Sequence, residues 1–274
     1  MTHGVVDARA IAEALRAAYV QRQIIVAPSA REPGFDLTTA YAVEAELVRL
    51  RREAGRITVG RKVGFANRAL WRVLKLDTLV WAHMYDDTVR FAAENTATIS
   101  LAAMCSPKIE PEIVFRMKGS VPVGADATEV LGAVEWFALG FEIIDCVFAD
   151  WKFQPVDFVA AYGLHAALVV GEPHPIVPAM IPALVEQLPR FTVKLTNGER
   201  MVDEGSGKNS LRSPALCVGE LAAALARQPA AAPLSAGELV SSGTLTESQP
   251  IGAGQTWTAL VDGIDLAPLT LHTT

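Results

Sequence analysis

Two glutamates, Glu110 and Glu112, flank a proline in the apolar run KIEPEIVF at residues 108–115. The run predicts a β-strand, in which side chains at positions i and i+2 share a face, with their backbone positions roughly 6.5–7 Å apart. Two carboxylates on one face of an apolar strand repel each other and resist burial. A divalent cation relieves both problems, and carboxylate oxygens suit Mg²⁺, Mn²⁺ or Ca²⁺. A solvated edge strand with two surface glutamates is the alternative.

Two more charged residues fall in apolar surroundings. Glu142 lies in the run FEIID at 141–145, which predicts a buried strand where a lone carboxylate needs a partner. Lys62 lies between Gly60 and Gly64 on one face of a strand predicted over residues 57–65. Because that face has no bulky neighbours, a ligand can approach the backbone and the amine can reach it. An exposed lysine on an edge strand is the alternative.

The elements that position these residues begin with helices. Helical spacing of apolar residues predicts a helix over residues 7–20 and a second that is capped by Thr38 and ends at Gly55. A capping box at 126–129 predicts a third helix, which runs through Ala138. The pair Ser213-Pro214 predicts the start of a fourth. Residues 66–105 predict a long, mostly irregular stretch whose part 80–87 forms a lid or pocket wall. Residues 205–207 predict a turn or binding loop, and strands are predicted at 239–245, 255–261 and 266–271. Helices followed by many strands indicate the α+β class.

Composition narrows the functional class. The 274 residues are 51% hydrophobic and carry a net charge of −6 without a basic block, which argues against nucleic-acid binding. The apolar runs are too short to span a bilayer, and the N-terminus lacks the pattern of a signal peptide. Three widely spaced cysteines form neither a disulfide framework nor a zinc pattern. We therefore expect a cytoplasmic enzyme with no nucleic-acid or membrane partner.

The order and spacing of five motifs resemble one family. The motifs are GRKVG at 60–64, EPEI at 110–113, FEIID at 141–145, DWKF at 150–153 and SGTLT at 242–246. They resemble the 2-keto-4-pentenoate hydratase branch of the fumarylacetoacetate hydrolase superfamily, which also includes 4-oxalocrotonate decarboxylases. The resemblance implies one hydratase-like domain over 1–274, with a helical N-terminal part (1–56) and a metal-binding, β-rich core (57–274). It also implies a mixed β-roll and a homo-oligomer.

The resemblance implies a Mg²⁺ or Mn²⁺ ion held by Glu110, Glu112 and Glu142. It also implies a pyruvoyl-type substrate, a small 2-oxo acid, whose 2-keto and carboxylate oxygens chelate the ion. Three carboxylates leave about half of an octahedral shell open for water or ligand. Their charge exceeds that of a divalent ion by one, which Lys62 or Lys152 can neutralise.

The expected reaction is addition of water to a 2-hydroxydienoate or its 2-oxo-alkenoate tautomer, in the catabolism of small 2-oxo acids. Lys62 would assist ketonisation or stabilise enolate charge, with Lys152 as a second candidate. His83 is a candidate proton shuttle because histidine titrates near neutral pH. The candidate substrate-binding residues are Arg61, Gly243 and Thr244.

The chain departs from the resembled branch in places that concern proton transfer and substrate contact. The segment 76–79 is shorter than the usual acidic segment, and His83 stands where an aspartate is usual. Leu164-His165 replaces a serine pair, and His165 by itself predicts a satisfied core histidine. Decarboxylation of a vinylogous 2-keto acid and hydrolytic C–C cleavage of an acylpyruvate therefore stay open. A non-catalytic partner subunit is a further alternative, although the chain keeps all three glutamates and Lys62.

Overall fold

In the described part of the chain helices come first, and further helices lie between the strands of two β-sheets. The computed structural model describes residues 6–274, so residues 1–5, part of the stretch considered for a signal peptide, lie outside it. The helices are α1 Ala8–Gln21, α2 Pro28–Arg31, α3 Leu37–Glu53, α4 Arg68–Leu74, α5 Ala127–Gly132, α6 Pro155–Ala160, α7 Ile181–Gln187 and α8 Pro214–Ala226. None of the helices in this part of the chain is long and apolar enough to cross a membrane.

The strands form a nine-stranded and a five-stranded sheet. They are β1 Thr58–Gly64, β2 Val80–Tyr85, β3 Val89–Phe91, β4 Thr96–Ile99, β5 Lys108–Met117, β6 Val134–Ile144, β7 His165–Val170, β8 His174–Pro175, β9 Thr192–Asn197, β10 Arg200–Ser206, β11 Leu239–Ser241, β12 Gln249–Pro250, β13 Thr256–Asp262 and β14 Leu269–Thr273. The larger sheet has the order β2-β1-β11-β5-β6-β7-β3, with β12 beside β5 and β8 beside β6, and the smaller has the order β10-β9-β13-β14-β4. The predicted α+β class is confirmed.

The larger sheet brings distant segments side by side. β5 and β6 pair antiparallel along almost their whole length, and Glu110 is directly opposite Glu142. β1 pairs with β11, which in turn pairs with β5. Because β1 lies between β2 and β11, Lys62 is on an internal strand, and the edge-strand alternative is wrong.

Helix ends follow local side-chain capping. Asp36, rather than the predicted Thr38, caps α3, because its carboxylate accepts the Thr39 backbone N–H at 2.8 Å. The predicted capping box at α5 is confirmed, with Asp126 and Glu129 each accepting the other's backbone N–H at 2.9 Å.

Three sequence-based expectations about elements are wrong. Residues 66–105 are not mostly irregular, because they contain α4, β2, β3 and β4, which are too short to show a clear period. The helix that begins after Asp126 ends at Gly132, and residues 134–144 form β6 because they pair with β5. Residues 205–207 are not a free loop: β10 extends to Ser206, and a 3₁₀ turn follows.

Candidate metal centre

Three glutamates converge where β5 and β6 pair. One carboxylate oxygen from each of Glu110, Glu112 and Glu142 lies within 4.8 Å of the others. The antiparallel register places Glu110 opposite Glu142, and the two-residue period of the strand places Glu112 on the same face as Glu110. The convergence that the sequence predicted is therefore present, at distances that one cation can bridge.

Glu112 has one oxygen held by the protein and one without a partner. Its Oε2 accepts the Ser241 hydroxyl at 2.5 Å and the Gly243 backbone N–H at 2.8 Å. Its Oε1 is buried and has no hydrogen-bond partner among residues 6–274. A buried oxygen without a partner is costly, and a bound cation would satisfy it.

Glu142 is held at both oxygens. Lys62 Nζ donates to its Oε2 at 2.8 Å, and His165 Nδ1 lies 2.8 Å from its Oε1. The Lys62 side chain is only 1% exposed. The two glycines beside Lys62 make room for protein rather than ligand, because a Cβ at Gly64 would lie 2.3 Å from the Phe158 ring, and one at Gly60 would meet the neighbouring strand.

The pKa values of Glu110 and Glu112 are raised, whereas the pKa of Glu142 is lowered. Burial raises the pKa of Glu110 to about 7, with Lys62 opposing and Glu142 adding to the rise. Burial, then Glu142 and Glu110, raise the pKa of Glu112 well above its usual value. The pKa of Glu142 is lowered, because Lys62 and His165 outweigh its burial.

Lys62 keeps its proton in this setting. Burial opposes its charge, but Glu142, Glu110 and Glu112 outweigh burial and raise its pKa. With all three carboxylates ionised, one ammonium would leave an excess of two negative charges, which a divalent cation would cancel. The oxygen donors, the charge excess and the unpartnered Glu112 Oε1 therefore fit Mg²⁺, Mn²⁺ or Ca²⁺.

A cavity of about 830 Å³ opens beside Glu110 and Lys62. Aromatic side chains form much of its wall, namely Phe65, Trp151, Phe153 and Phe158. Polar residues line other parts of it, namely Asn67, Lys108, Asn209, Thr244, Thr246, Glu247 and Ser248. The cavity therefore combines a partly apolar wall with carboxylate and other polar groups, as small-molecule sites commonly do.

Gly243 and Thr244 line this cavity, but their predicted role needs correction. The Gly243 N–H is already donated to Glu112, and the Thr244 hydroxyl donates to the Thr246 carbonyl at 2.8 Å. Neither of these two donors is free to bind a substrate. The Gly243 backbone instead fixes a candidate metal ligand, together with Ser241, which the sequence analysis missed.

Arg61 and His83 lie on the opposite face of the sheet from Lys62. In the pairing of β1 with β2, Arg61 is opposite His83, whereas Lys62 is opposite Ala82. Successive side chains of a strand alternate between faces, so one step along β1 leads away from the metal centre. Arg61 forms an ion pair with Glu238. The predictions of His83 as proton shuttle and Arg61 as substrate ligand are therefore wrong for this cavity.

His83 and Arg61 instead border a second cavity. His83 Nδ1 lies 2.6 Å from Oε1 of Glu44, a buried residue of α3. This cavity measures about 780 Å³ and lies between α3, β1, β2 and residues 228–232.

Lys152 is not at the candidate metal centre either. Its side chain is 80% exposed and forms an ion pair with Asp150 at 3.2 Å. It follows the 3₁₀ turn Ala149–Trp151, and its neighbours Trp151 and Phe153 line the cavity while Lys152 does not. Its predicted catalytic role is not supported by this position.

Comparison with known proteins finds relatives that are named hydratases or a decarboxylase. No family model matches it. It is 28% identical over 235 residues to a 2-hydroxyhexa-2,4-dienoate hydratase of Comamonas testosteroni, covering 85% of each chain. It is 29% identical to a 2-keto-4-pentenoate hydratase of Paraburkholderia xenovorans, covering 85% of this chain and 82% of the relative. A 4-oxalocrotonate decarboxylase of a Pseudomonas species is 29% identical, with 78% and 79% covered. The predicted relationship to this branch is confirmed.

Two solved structures are similar to this chain in fold. The 4-oxalocrotonate decarboxylase from Pseudomonas putida G7, complexed with magnesium and adipate, matches with a TM-score of 0.86 at 22% identity, covering 97% of each chain. The fumarylpyruvate hydrolase from Pseudomonas aeruginosa, complexed with Mn²⁺ and pyruvate, matches with a TM-score of 0.56 at 15% identity, covering 78% of this chain and 88% of the other. The predicted fold of the fumarylacetoacetate hydrolase type is confirmed.

Proposed function

We propose that the protein is a divalent-metal-dependent hydro-lyase that adds water to a 2-hydroxydienoate or its 2-oxo-alkenoate tautomer. The convergence of Glu110, Glu112 and Glu142 beside Lys62, next to the cavity that Glu110 and Lys62 line, carries this proposal. The hydratase relatives support the choice of reaction. The choice between Mg²⁺ and Mn²⁺ is part of the proposal, since the oxygen donors suit both.

The residues of the chain have distinct roles in this reaction. Glu110, Glu112 and Glu142 would hold the cation, which when bound supplies Lewis acidity to the keto and carboxylate oxygens of a 2-oxo acid. Lys62 faces the same cavity and has a raised pKa, so it acts through its positive charge, stabilising negative charge on the substrate, rather than as a proton donor. The aromatic wall would pack against the apolar part of the substrate tail.

Decarboxylation of a vinylogous 2-keto acid is the second candidate. Lys108 lines the cavity, and its ammonium lies 4.0 Å from the centre of the Trp151 ring. A cation at this position suits the second carboxylate that such a substrate carries. Hydrolytic C–C cleavage needs a base to activate water, and His83, the candidate proton shuttle, lies on the other face of the sheet. A non-catalytic role is disfavoured by the retained glutamates and Lys62.

A substrate comparison tests the proposal. The protein is incubated with Mg²⁺ or Mn²⁺ and, in turn, with 2-hydroxydienoates, oxalocrotonate and acylpyruvates, and each product is identified by mass spectrometry. We expect gain of water by the 2-hydroxydienoates as the fastest reaction. Faster loss of CO₂ from oxalocrotonate, abolished in Lys108→Met, would establish the second candidate. No reaction with any substrate would contradict both.

We also propose that the chain forms a homo-oligomer. Apolar side chains at the end of α1 and beyond it support this, since Val20, Ile24 and Val26 are 75%, 49% and 58% exposed. Light scattering on the purified protein measures the assembly directly, and a monomer at micromolar concentration would contradict the proposal. The cytoplasmic location and the absence of nucleic-acid and membrane partners stay predictions.

A further inference from the structure

His165 connects a candidate metal ligand to a neighbouring turn. The ring is buried at the start of β7, with Nδ1 2.8 Å from Glu142 Oε1 and Nε2 2.9 Å from Thr88 Oγ1. Thr88 is itself anchored, because its hydroxyl donates to the Tyr85 carbonyl at 3.0 Å and accepts the Tyr85 N–H at 3.2 Å. The imidazole therefore bridges Glu142 and the turn between β2 and β3.

The bridge restricts the carboxylate of Glu142. With Lys62 alone at Oε2, the carboxylate would remain free to rotate about its last side-chain torsion, where the energy wells are broad. A second contact at Oε1 fixes its plane. Since Glu142 is opposite Glu110 in the β5–β6 register, this plane decides how the Glu142 oxygens face the other two glutamates.

We propose that His165 is a positioning residue for the cation: it fixes the Glu142 carboxylate toward Glu110 and Glu112, and Thr88 fixes the ring. This inference rests on the proposed function, because it presumes that the three glutamates bind a divalent ion. The sequence analysis predicted only a satisfied core histidine. His165 is buried and bonded as that prediction requires, but one of its partners is a candidate metal ligand.

Two variants of His165 separate positioning from packing. His165→Leu removes both ring contacts, whereas His165→Asn keeps an N–H donor near the position of Nδ1. Hydrogen bonds to metal ligands typically change metal affinity by 10- to 100-fold when removed. We expect His165→Leu to raise the dissociation constant for Mn²⁺ by about that factor and His165→Asn to restore most of the affinity, as measured by calorimetric titration of metal-free protein.

Thr88→Val tests the outer half of the bridge with a side chain of the same shape. We expect it to weaken Mn²⁺ binding severalfold while leaving the glutamates in place. His174→Leu is the control, because His174 is a partly buried histidine of β8 whose ring lies against the Phe137 ring of β6. Thermal unfolding of each metal-free variant shows whether it has folded.

The outcomes separate this inference from the function on which it rests. Wild-type protein that binds no Mn²⁺ would overturn both. If the wild-type protein binds Mn²⁺ and both His165→Leu and Thr88→Val bind it with the wild-type affinity, the inference alone is overturned. If His165→Leu does not fold, Thr88→Val decides, and unchanged affinity overturns the inference. Equal weakening in His165→Asn and His165→Leu would also overturn it, because the retained donor would then be without effect.

Discussion

Arg61 and Lys62 are adjacent on β1, and their buried, positively charged side chains lie on opposite faces of the larger sheet. On one face, Lys62 meets three converging carboxylates. On the other face, each basic group has its own glutamate: Arg61 pairs with Glu238, and His83 pairs with Glu44. A buried ion pair is therefore not what distinguishes a site in this molecule. The excess of carboxylates over cations on the Lys62 face does so, because a divalent cation would balance it when all three carboxylates are ionised.

Replacing Lys62 should produce the largest change. Lys62→Met removes the ammonium that is bonded to Glu142, so we expect the turnover number at saturating substrate to fall about 100-fold or more, which corresponds to ~2.7 kcal/mol of transition-state stabilisation. Arg61→Met is the matched control, because Arg61 is equally buried on the other face. Equal losses of turnover in the two folded variants would contradict the distinction between the faces.

Glu110, on the Lys62 face, should make the stability of the metal-free protein depend on pH. The folded-state pKa of Glu110 is raised to about 7, so its contribution to stability is present below the ordinary pKa of a glutamate and is lost as the pH rises toward 7. We expect the melting temperature of metal-free protein to fall between pH 5 and pH 8, and less steeply in Glu110→Gln. Bound metal should remove this fall, because it requires ionised ligands. A fall of the same size in Glu110→Gln would assign it to other groups.

His83→Ala should alter stability but not catalysis. It leaves the buried Glu44 with only the His83 backbone N–H at 3.2 Å, which should destabilise the fold by about 1–3 kcal/mol. We expect turnover to change less than about twofold, since the ring is on the other face from Lys62. Steady-state kinetics and denaturant unfolding measure the two effects. A tenfold loss of turnover in the folded variant would restore His83 to the catalytic machinery.

We expect the smallest effect on activity from replacing Lys152. Because its side chain is exposed and pairs only with Asp150, Lys152→Ala should leave turnover, Michaelis constant and metal affinity unchanged within error. Any loss of metal affinity would show that the turn at 149–151 brings this lysine to the centre in solution.

The glutamates were predictable from sequence because strands have a simple period. A single apolar strand places Glu110 and Glu112 on one face, and Glu142 stood out as a lone carboxylate in an apolar run. The same period separates Arg61 from Lys62, yet Lys62 was predicted as a catalytic residue and Arg61 as a substrate-binding residue of one site. Side-chain alternation is therefore the stronger guide to which neighbours share a site.

The supporting residues were harder to predict because they depend on strand pairing. Ser241 reaches Glu112 across 129 positions, and nothing in its local sequence indicates this contact. His165 was visible only as a departure from the resembled branch. The short elements between residues 66 and 105 escaped prediction because tertiary pairing, rather than local periodicity, determines them.

Titration of metal-free protein with Mn²⁺ tests the central claim most directly. The wild-type chain should bind one ion. Glu112→Gln, which keeps the shape of the side chain but removes the charge, should weaken binding by about 100-fold or more. Glu44→Gln, a buried glutamate on the other face, should bind as the wild type does. Absence of binding in the wild-type chain, or equal affinity in Glu112→Gln, would contradict the assignment of the three glutamates as a metal centre.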